Sequence, residues 1–370
     1  MNLDAVRAEL PVLDHVAYLN TGSFGPLPRR AVDAMVEQQQ IELEEGRSGH
    51  AYWDVIHEAR SAMRAALADA LGASEQSVAL ARSTTEACNI VVSGLGLGPD
   101  DEVLTTDDEH FGLLGALYVA GTRPELVETG GRPDEEIAAA IEARLTKQTR
   151  LVAVSHVTWT TGRVLPVREI ASLCRSRDVP LLVDGAQSVG AIPVDVTALG
   201  CDFYTVSGQK WLLGPDATGA LYVRPELVET LAVRFPSGYA LASHDPAAPI
   251  AFVLGADRYD PGAVPLPSLR GLLASLSFAA EQGDERFGRA RAMAERCREL
   301  LAERYDVLTE PDQATLVSFR PGGDPEEAVA VLAEKGVVVR GFPGLDWIRA
   351  SIGFWTSEDE IDRLLAALPS

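Results

Sequence analysis

Through the middle of the chain, short apolar runs alternate with stretches in which apolar residues return every three or four positions. The runs are SVALA near 80, EVLTT near 105, LVAVSH near 155, PLLVDGA near 183, FYTVSG near 206 and ALYVRP near 222. Between them, segments such as DEEIAAAIEARL and PVREIASLCRSR carry helical spacing. Strands alternating with helices predict an α/β fold, a mostly parallel central sheet flanked by helices. From about 235 to 268 the chain is rich in Pro, Gly, Ala and Asp with weak periodicity, which predicts irregular loops. LRGLLASLSFAAEQGDERFGRARAMAERCRELLAERY then predicts a long helical stretch, ATLVSFR and GVVVRGF two strand-like pieces, and SEDEIDRLLAAL a closing helix. That order predicts a smaller α+β C-terminal lobe. We divide the chain into a large domain over 15–255 and a small domain made of 1–14 and 256–370.

Composition narrows the partners. The 370 residues exceed what one compact core organises, in keeping with two domains. Lys and Arg total 32 against 54 Asp and Glu, a net charge of −22 that repels polyphosphate backbones, so neither nucleic acid nor an anionic membrane is expected as a partner. The N-terminal MNLDAVRAELPVLDHVAYLN has no basic-then-apolar signal pattern, and no run of about 18 uncharged apolar residues occurs. A cytoplasmic location is the expectation. Cys88, Cys174, Cys201 and Cys297 are scattered with no CxxC pair, which argues against a zinc site and a disulfide framework.

In an open parallel sheet, ligands sit beyond the carboxyl ends of the strands, so the polar residues just after the apolar runs carry the interest. ALARSTTEACN places Ser83, Thr84 and Thr85 where a strand gives way to a helix, a ready phosphate site or, on the plainer reading, an ordinary N-cap box with Glu86. LLVDGAQSVG carries Asp184 after a wholly apolar strand, where a carboxylate either caps the next turn or partners a buried cationic nitrogen. SGQKWLLGP wedges Lys210 against an apolar run. A lysine near apolar walls has a lowered amine pKa and becomes a nucleophile able to form a Schiff base, although a lone Lys is usually a surface charge. A phosphate cradle, a carboxylate for a pyridinium nitrogen and a Schiff-base lysine are together the fixtures that pyridoxal 5'-phosphate requires.

With these motifs in order, the chain resembles fold-type I pyridoxal-phosphate enzymes of the class V aminotransferase family, a group with cysteine desulfurases, isopenicillin N epimerase-like proteins and cystine/cysteine C–S lyases. The resemblance runs from YLNTGSFGPLP to IRASIGFWTSEDEIDRLLAAL. It implies that Lys210 carries the Schiff base, that Asp184 pairs with the pyridine nitrogen and that Gln187 reaches the ring 3'-oxygen. It further implies that Thr84, Thr85, Ser207 and Gln209 hold the phosphate and that His110 stacks on the ring. Gln209 stands where His is common in the family. Ala263 stands where desulfurases place a phosphate-binding Thr from the partner subunit.

The resemblance also separates the candidate reactions. Desulfurases carry a nucleophilic Cys in a loop shortly before the C-terminal substrate arginine, whereas VVVRGFPGLDWIRASIGF is short and free of cysteine. Arg349 stands where the family clamps the substrate α-carboxylate, and Arg340 adds a second anion contact, a pair similar to that of the cystine C–S lyases. The alternative for Arg340 is a surface salt bridge. SHVTWTTGRVLPVREI resembles the lyase version of its segment, placing Trp159 and Thr160 near the cofactor. The implied protein is a homodimeric pyridoxal-phosphate-dependent β-lyase that cleaves a carbon–sulfur bond of cystine or a cysteine S-conjugate, a small sulfur amino acid. An aminotransferase or epimerase is the second expectation, and a desulfurase or a cofactor-binding protein without turnover stands behind both.

Overall fold

A computed structural model describes residues 1–369. The chain opens with α1 (Leu3–Ala8), the two-residue strand β1 (Ala17–Tyr18) and two long helices, α2 (Arg29–Glu45) and α3 (Gly49–Leu71). Strands and helices then alternate: β2 (Val78–Ala81), α4 (Thr84–Leu95), β3 (Glu102–Thr106), α5 (Phe111–Val119), β4 (Glu125–Val127), α6 (Asp134–Arg144), β5 (Thr149–Ser155), α7 (Val167–Ser176), β6 (Leu181–Asp184), α8 (Val196–Leu199), β7 (Phe203–Ser207) and β8 (Gly219–Val223). After the loop region come α9 (Leu266–Glu281), α10 (Glu285–Ala302), β9 (Leu316–Phe319), α11 (Pro325–Glu334), β10 (Val337–Val338), β11 (Arg340–Gly341), β12 (Ile348–Ser351) and α12 (Glu358–Ala367).

Seven strands form the central sheet in the order β2-β8-β7-β6-β5-β3-β4. Every pairing from β7 to β4 is parallel, and only β8 runs against its neighbours. Both faces are covered, which is why the strands read as nearly continuous apolar runs. Leu104, Val152, Val154, Leu181, Val183, Tyr204 and Val206 pack on one face, against Met63, Leu67, Ile137, Ile170 and Leu269. The alternate positions Val103, Leu151, Ala153, Leu182 and Phe203 pack on the other, against Val91, Leu113 and Leu117. The chain passes outward from β3 to β4 and returns as β5 on the other side of β3. That reversal opens a crevice at the carboxyl ends of β3 and β5, the usual ligand position in such sheets.

A third core joins Val317, Phe319, Ile348, Ala350 and Leu364 with Ala17 and Leu19. It lies behind a three-stranded antiparallel sheet, β11-β12-β9, and the parallel pair of β1 with β10.

The predicted strands and the closing helix lie where expected, while three features differ from the sequence reading. The long helical stretch is two helices, broken at Gly283, whose φ of +61° lies in the left-handed region that glycine adopts freely. The helices α2 and α3 were not singled out from the pattern; α2 buries only Ala31 and Gln38, whereas α3 buries Ala59, Met63, Leu67 and Leu71 under the sheet. The strand β12, reading IRAS, contains a buried arginine and so lacks an apolar signature.

The loop after β8 is anchored electrostatically. Buried Asp260 accepts hydrogen bonds from Arg60 (2.8 Å), Arg64 (2.7 Å) and the Leu80 amide (2.8 Å), tying that loop to α3 and β2. Removing one partner of a buried ionic cluster strands the others without compensation. Asp260→Ala is therefore expected to destabilise the fold by about 3–5 kcal/mol, read from urea unfolding. An unchanged unfolding midpoint would show that the cluster contributes nothing net.

Candidate active site

The carboxyl edge of the central sheet gathers nearly all the residues picked out from the sequence. Ser83 caps α4 through its hydroxyl, which accepts from the Glu86 amide at 3.1 Å. Only the Ser83 half of the expected box forms, because the Glu86 carboxylate accepts from the Arg82 amide (2.7 Å) and guanidinium instead of the Ser83 amide, and the first-turn N–H groups of Thr84 and Thr85 have no intrahelical acceptor. The Thr85 hydroxyl lies against Gly112 in the first turn of α5, where a Cβ on Gly112 would come 2.6 Å from Thr85 Oγ1. His110 caps α5, its Nδ1 accepting from the Gly112 amide at 3.0 Å. That bond leaves Nε2 as the protonated nitrogen of the neutral ring. Burial, followed by the charge of Lys210, pushes the His110 pKa below its ordinary value.

Asp184 ends β6, buried, with Oδ1 accepting from the Ala186 amide (2.9 Å) and the Thr205 hydroxyl (3.3 Å). Among the described residues no basic side chain pairs with it at salt-bridge distance. Behind it, the His156 amide donates to the Asp184 carbonyl at 2.9 Å. The His156 Nδ1 lies 2.7 Å from the Tyr204 hydroxyl, which is 2.5 Å from Ser188 Oγ, and burial pushes the His156 pKa down to about 4. Gln187 donates from Nε2 to the Gly22 carbonyl (2.8 Å) and accepts at Oε1 from the Trp211 indole (2.8 Å), which leaves one amide N–H for a ligand.

Lys210 sits on a tight turn after β7. The turn is closed by the Leu213 amide on the Lys210 carbonyl (3.0 Å) and the Gly214 amide on the Gly208 carbonyl (2.8 Å), with Leu213 held at a φ of +58°. A leucine in that region is strained, and such strain persists where the surroundings impose it, as at ligand sites. Burial lowers the Lys210 pKa to about 8, opposed by the nearby charge of Asp184 and assisted by that of Arg349. At the start of the same turn, the Ser207 hydroxyl donates to Gln209 Oε1 at 2.8 Å, freeing the Gln209 amide nitrogen to donate elsewhere.

Arg349 is the most unusual group. It is only 1% exposed, and among the described residues no carboxylate lies within salt-bridge distance of it and its Nε has no acceptor. Its Nη1 donates to the Trp159 carbonyl, and its guanidinium lies over the Phe342 ring, 5.3 Å from the centroid. Burial, then the positive charge of Arg340, lowers its pKa to about 9. Arg340 stands directly opposite it in the β11–β12 register but is exposed. Like charges facing each other across a strand pair are destabilising and favour an anion nearby. Trp159 packs edge-on against His110 (ring centroids 5.0 Å apart) and Phe342 (5.1 Å). The Thr160 hydroxyl donates to the Asp108 carboxylate, 2.7 and 2.6 Å from its two oxygens.

Four residues beyond the sequence reading belong here. Gly22 and Gly25 bring the loop after β1 onto the site: a Cβ on Gly22 would lie 2.5 Å from Arg349 Nη2, and one on Gly25 2.1 Å from the Lys210 carbonyl. Asp108 receives Thr160. Glu109 is buried, taking hydrogen bonds from Thr106 Oγ1 (2.6 Å), the Ser155 amide (2.9 Å) and Ser155 Oγ (2.6 Å), and burial pushes its carboxyl up to about 8. The DDEH string before α5 was the only trace of these acids in the sequence.

An unpaired buried carboxylate, a lysine with a depressed pKa, a helix N-terminus and an unpaired buried guanidinium fit a pyridoxal phosphate carrying an amino acid. Comparison with known proteins decides the family. The aminotransferase class-V model matches residues 17–364. The chain belongs to the class-V aminotransferase family. This class-V chain is 34% identical to isopenicillin N epimerase of Streptomyces clavuligerus over 95% of its own length and 94% of that protein's. It is 27% identical to a cysteine desulfurase of Haloferax volcanii, over all of this chain and 96% of the relative. Among solved structures, the cystine C–S lyase C-DES in complex with its reaction product cysteine persulfide superposes with a TM-score of 0.90 at 30% identity, covering 96% of this chain and 98% of that one. A C-DES variant with glycine covalently linked to its pyridoxal phosphate gives a TM-score of 0.92 at 30% identity, over 97% and 98%. The cofactor of this class-V enzyme is pyridoxal 5'-phosphate, and its fold is the fold-type I arrangement of these neighbours.

Two predictions follow from this geometry. A lysine must be neutral to attack the cofactor aldehyde, so uptake of pyridoxal phosphate by the apoprotein, followed by absorbance, should accelerate as pH rises through about 8 and then level off. A rate still climbing toward the ordinary lysine value of 10.5 would refute the depressed pKa. Gly22→Ala forces a methyl into the Arg349 guanidinium, so it should raise KM for amino acids at least about 10-fold while leaving cofactor uptake intact.

Proposed function

We propose that this class-V enzyme is a carbon–sulfur β-lyase that converts cystine or a cysteine S-conjugate into pyruvate, ammonia and a thiol or persulfide. The observation that carries the reading is the state of the four thiols. Cys88, Cys174, Cys201 and Cys297 are all buried, and burial pushes the last three up to about 12 and Cys88 upward as well. The hairpin that bears Arg340 and Arg349 holds no cysteine. Desulfurase chemistry needs an accessible thiolate to accept the sulfur, and four buried thiols with raised pKa values disfavour it. Elimination needs no second thiol.

In the proposed site, Thr84, Thr85, Ser207 and Gln209 would hold the cofactor phosphate, Gln187 the ring oxygen, Asp184 the proton on the pyridine nitrogen, and His110 the ring face. Pyridoxal phosphate supplies an electron sink for the charge that develops at the substrate Cα. Arg349 receives the α-carboxylate in a bidentate fork, a geometry lysine cannot offer. Trp159 and Thr160 line the approach, and Arg340 meets a second anionic group where the substrate has one. Lys210 Nζ, neutral above about pH 8, takes the α-proton. The Cβ–S bond breaks with its electron pair leaving on sulfur, and the released enamine adds water to give pyruvate and ammonia.

The same reading includes the domain division at 15–255, a cytoplasmic location and a homodimer. Exposed apolar side chains on α2, α3 and the loop region, among them Val36, Leu43, Trp53, Ile250 and Leu254, are suited to burial against a second copy. No helix among the described residues is long and apolar enough to cross a membrane.

The 34% identity to an epimerase supports a second reading, in which the α-proton returns on the opposite face. One experiment separates the two. The holoenzyme is mixed with cystine and several S-substituted cysteines, and pyruvate, thiol and Cα deuterium are measured in heavy water. Pyruvate and thiol in equal amounts are expected. Deuterium exchange without pyruvate would establish the epimerase, and accumulation of pyridoxamine phosphate a transaminase.

A further inference from the structure

Beside the candidate site lies a second cavity of about 530 Å³, within the range of small-ligand pockets. Its walls are largely aromatic and aliphatic, with Phe111, Trp159, Phe342, Leu345 and Trp347 among them. Two of these are shared with the anion site: Trp159 gives its carbonyl to Arg349 and its ring edge to His110, and Phe342 lies under the Arg349 guanidinium. A substrate whose carboxylate is held by Arg349 therefore starts one aromatic ring away from the cavity. Phe111 leaves a large apolar face 72% exposed at this cavity.

The polar groups on the wall restrict the occupant. Asp107, Asp108 and Glu310 stand against a single guanidinium, Arg163, which is already paired with Asp134 (3.1 Å) and Glu310 (3.6 Å). A carboxylate or sulfonate entering here meets net negative charge. Arg163 and Trp347, two residues of the wall, each hold a buried N–H donor, Nε and Nε1, with no acceptor among the described residues. Unsatisfied buried donors are costly and call for an acceptor on the ligand.

We propose that this cavity is the subsite for the sulfur substituent of the substrate, and that the substituent is a flat, uncharged aryl or heteroaryl group bearing a hydrogen-bond acceptor. The proposal deepens the lyase reading, on which it rests for the fate of the substituent though not for its binding. Cystine, whose second half carries its own carboxylate and ammonium, is then a poorer fit than an S-arylmethyl cysteine.

The test separates binding from turnover by using the all-carbon counterpart of S-benzylcysteine, with a methylene in place of sulfur, which has no C–S bond to break. Calorimetry on the holoenzyme should show it binding at least about 10-fold tighter than norvaline, the same chain without the ring. Leu345→Asp, a change at a half-buried wall position, should abolish that ratio. Trp347→Phe should lower affinity for a pyridylmethyl analogue while sparing the phenyl one, which tests the donor without relying on the charged variant. Equal affinity for the phenyl analogue and norvaline, or a ratio that survives Leu345→Asp, overturns the subsite. If the analogue binds tightly and S-benzylcysteine yields no pyruvate, the subsite stands and the lyase reading falls. If S-methylcysteine is cleaved and the phenyl analogue gains nothing, the reverse holds.

Discussion

Covering a parallel sheet on both faces leaves polar side chains one outlet, the carboxyl ends of the strands. Here α3, α6, α7 and α9 close one face and α4 and α5 the other, so the residues after β2, β3, β5, β6 and β7 converge on a single edge. Thr84, His110, Trp159, Asp184 and Lys210 come from five different loops, yet the packing of one sheet positions them all. A shift of one residue in the register of β6 would move Leu182 to the face of Val183 and turn Asp184 away from the edge, so core packing and site geometry are specified together.

The second organising feature is charge left without a partner. Asp184 and Arg349 are both buried, and among the described residues neither has an opposite charge at salt-bridge distance. Each is costly alone, and the cost is offset only when a ligand supplies the missing charge. Under the proposed function a pyridinium nitrogen and an α-carboxylate supply those charges, which makes such a site selective for a cofactor carrying an amino acid. The depressed pKa values of Lys210 and Arg349 share a cause, burial beside other cations, but have opposite consequences. At about 8, Lys210 becomes a usable base, while at about 9 Arg349 stays charged at neutral pH and keeps its hold on an anion.

What the sequence disclosed follows from the same physics. Strands buried on both faces wrote themselves as apolar runs, and the polar residues ending them, Asp184 and Lys210 above all, could be read directly. The helix α2 was invisible because its surface-facing composition left no stripe. The strand β12 was invisible because Arg349 interrupts it, so the residue that marks the site also hid the element that carries it. Gly22 and Gly25 gave no signal, since their role is to be small against Arg349 and the Lys210 backbone, a contact spanning more than 180 residues of chain. The bond from the Thr160 hydroxyl to Asp108 is likewise a pairing that no local pattern announces.

The hairpin of β11 and β12 joins the buried guanidinium to the wall of the neighbouring cavity. Its two strands set Arg340 against Arg349, and its short connection supplies Phe342, Leu345 and Trp347 instead of a cysteine. The anion site is therefore built into strand pairing, which is rigid, while the aromatic wall is largely carried by the connecting loop, which is free to vary. Phe342 both supports the guanidinium and faces the cavity, so it ties the two together, whereas under the proposed function exchanging Leu345 or Trp347 would alter the wall beyond the substrate sulfur without touching Arg349. Under the proposed function, changes confined to the connecting residues 343–347 would reshape the cavity and leave Lys210, Asp184 and Thr84 untouched.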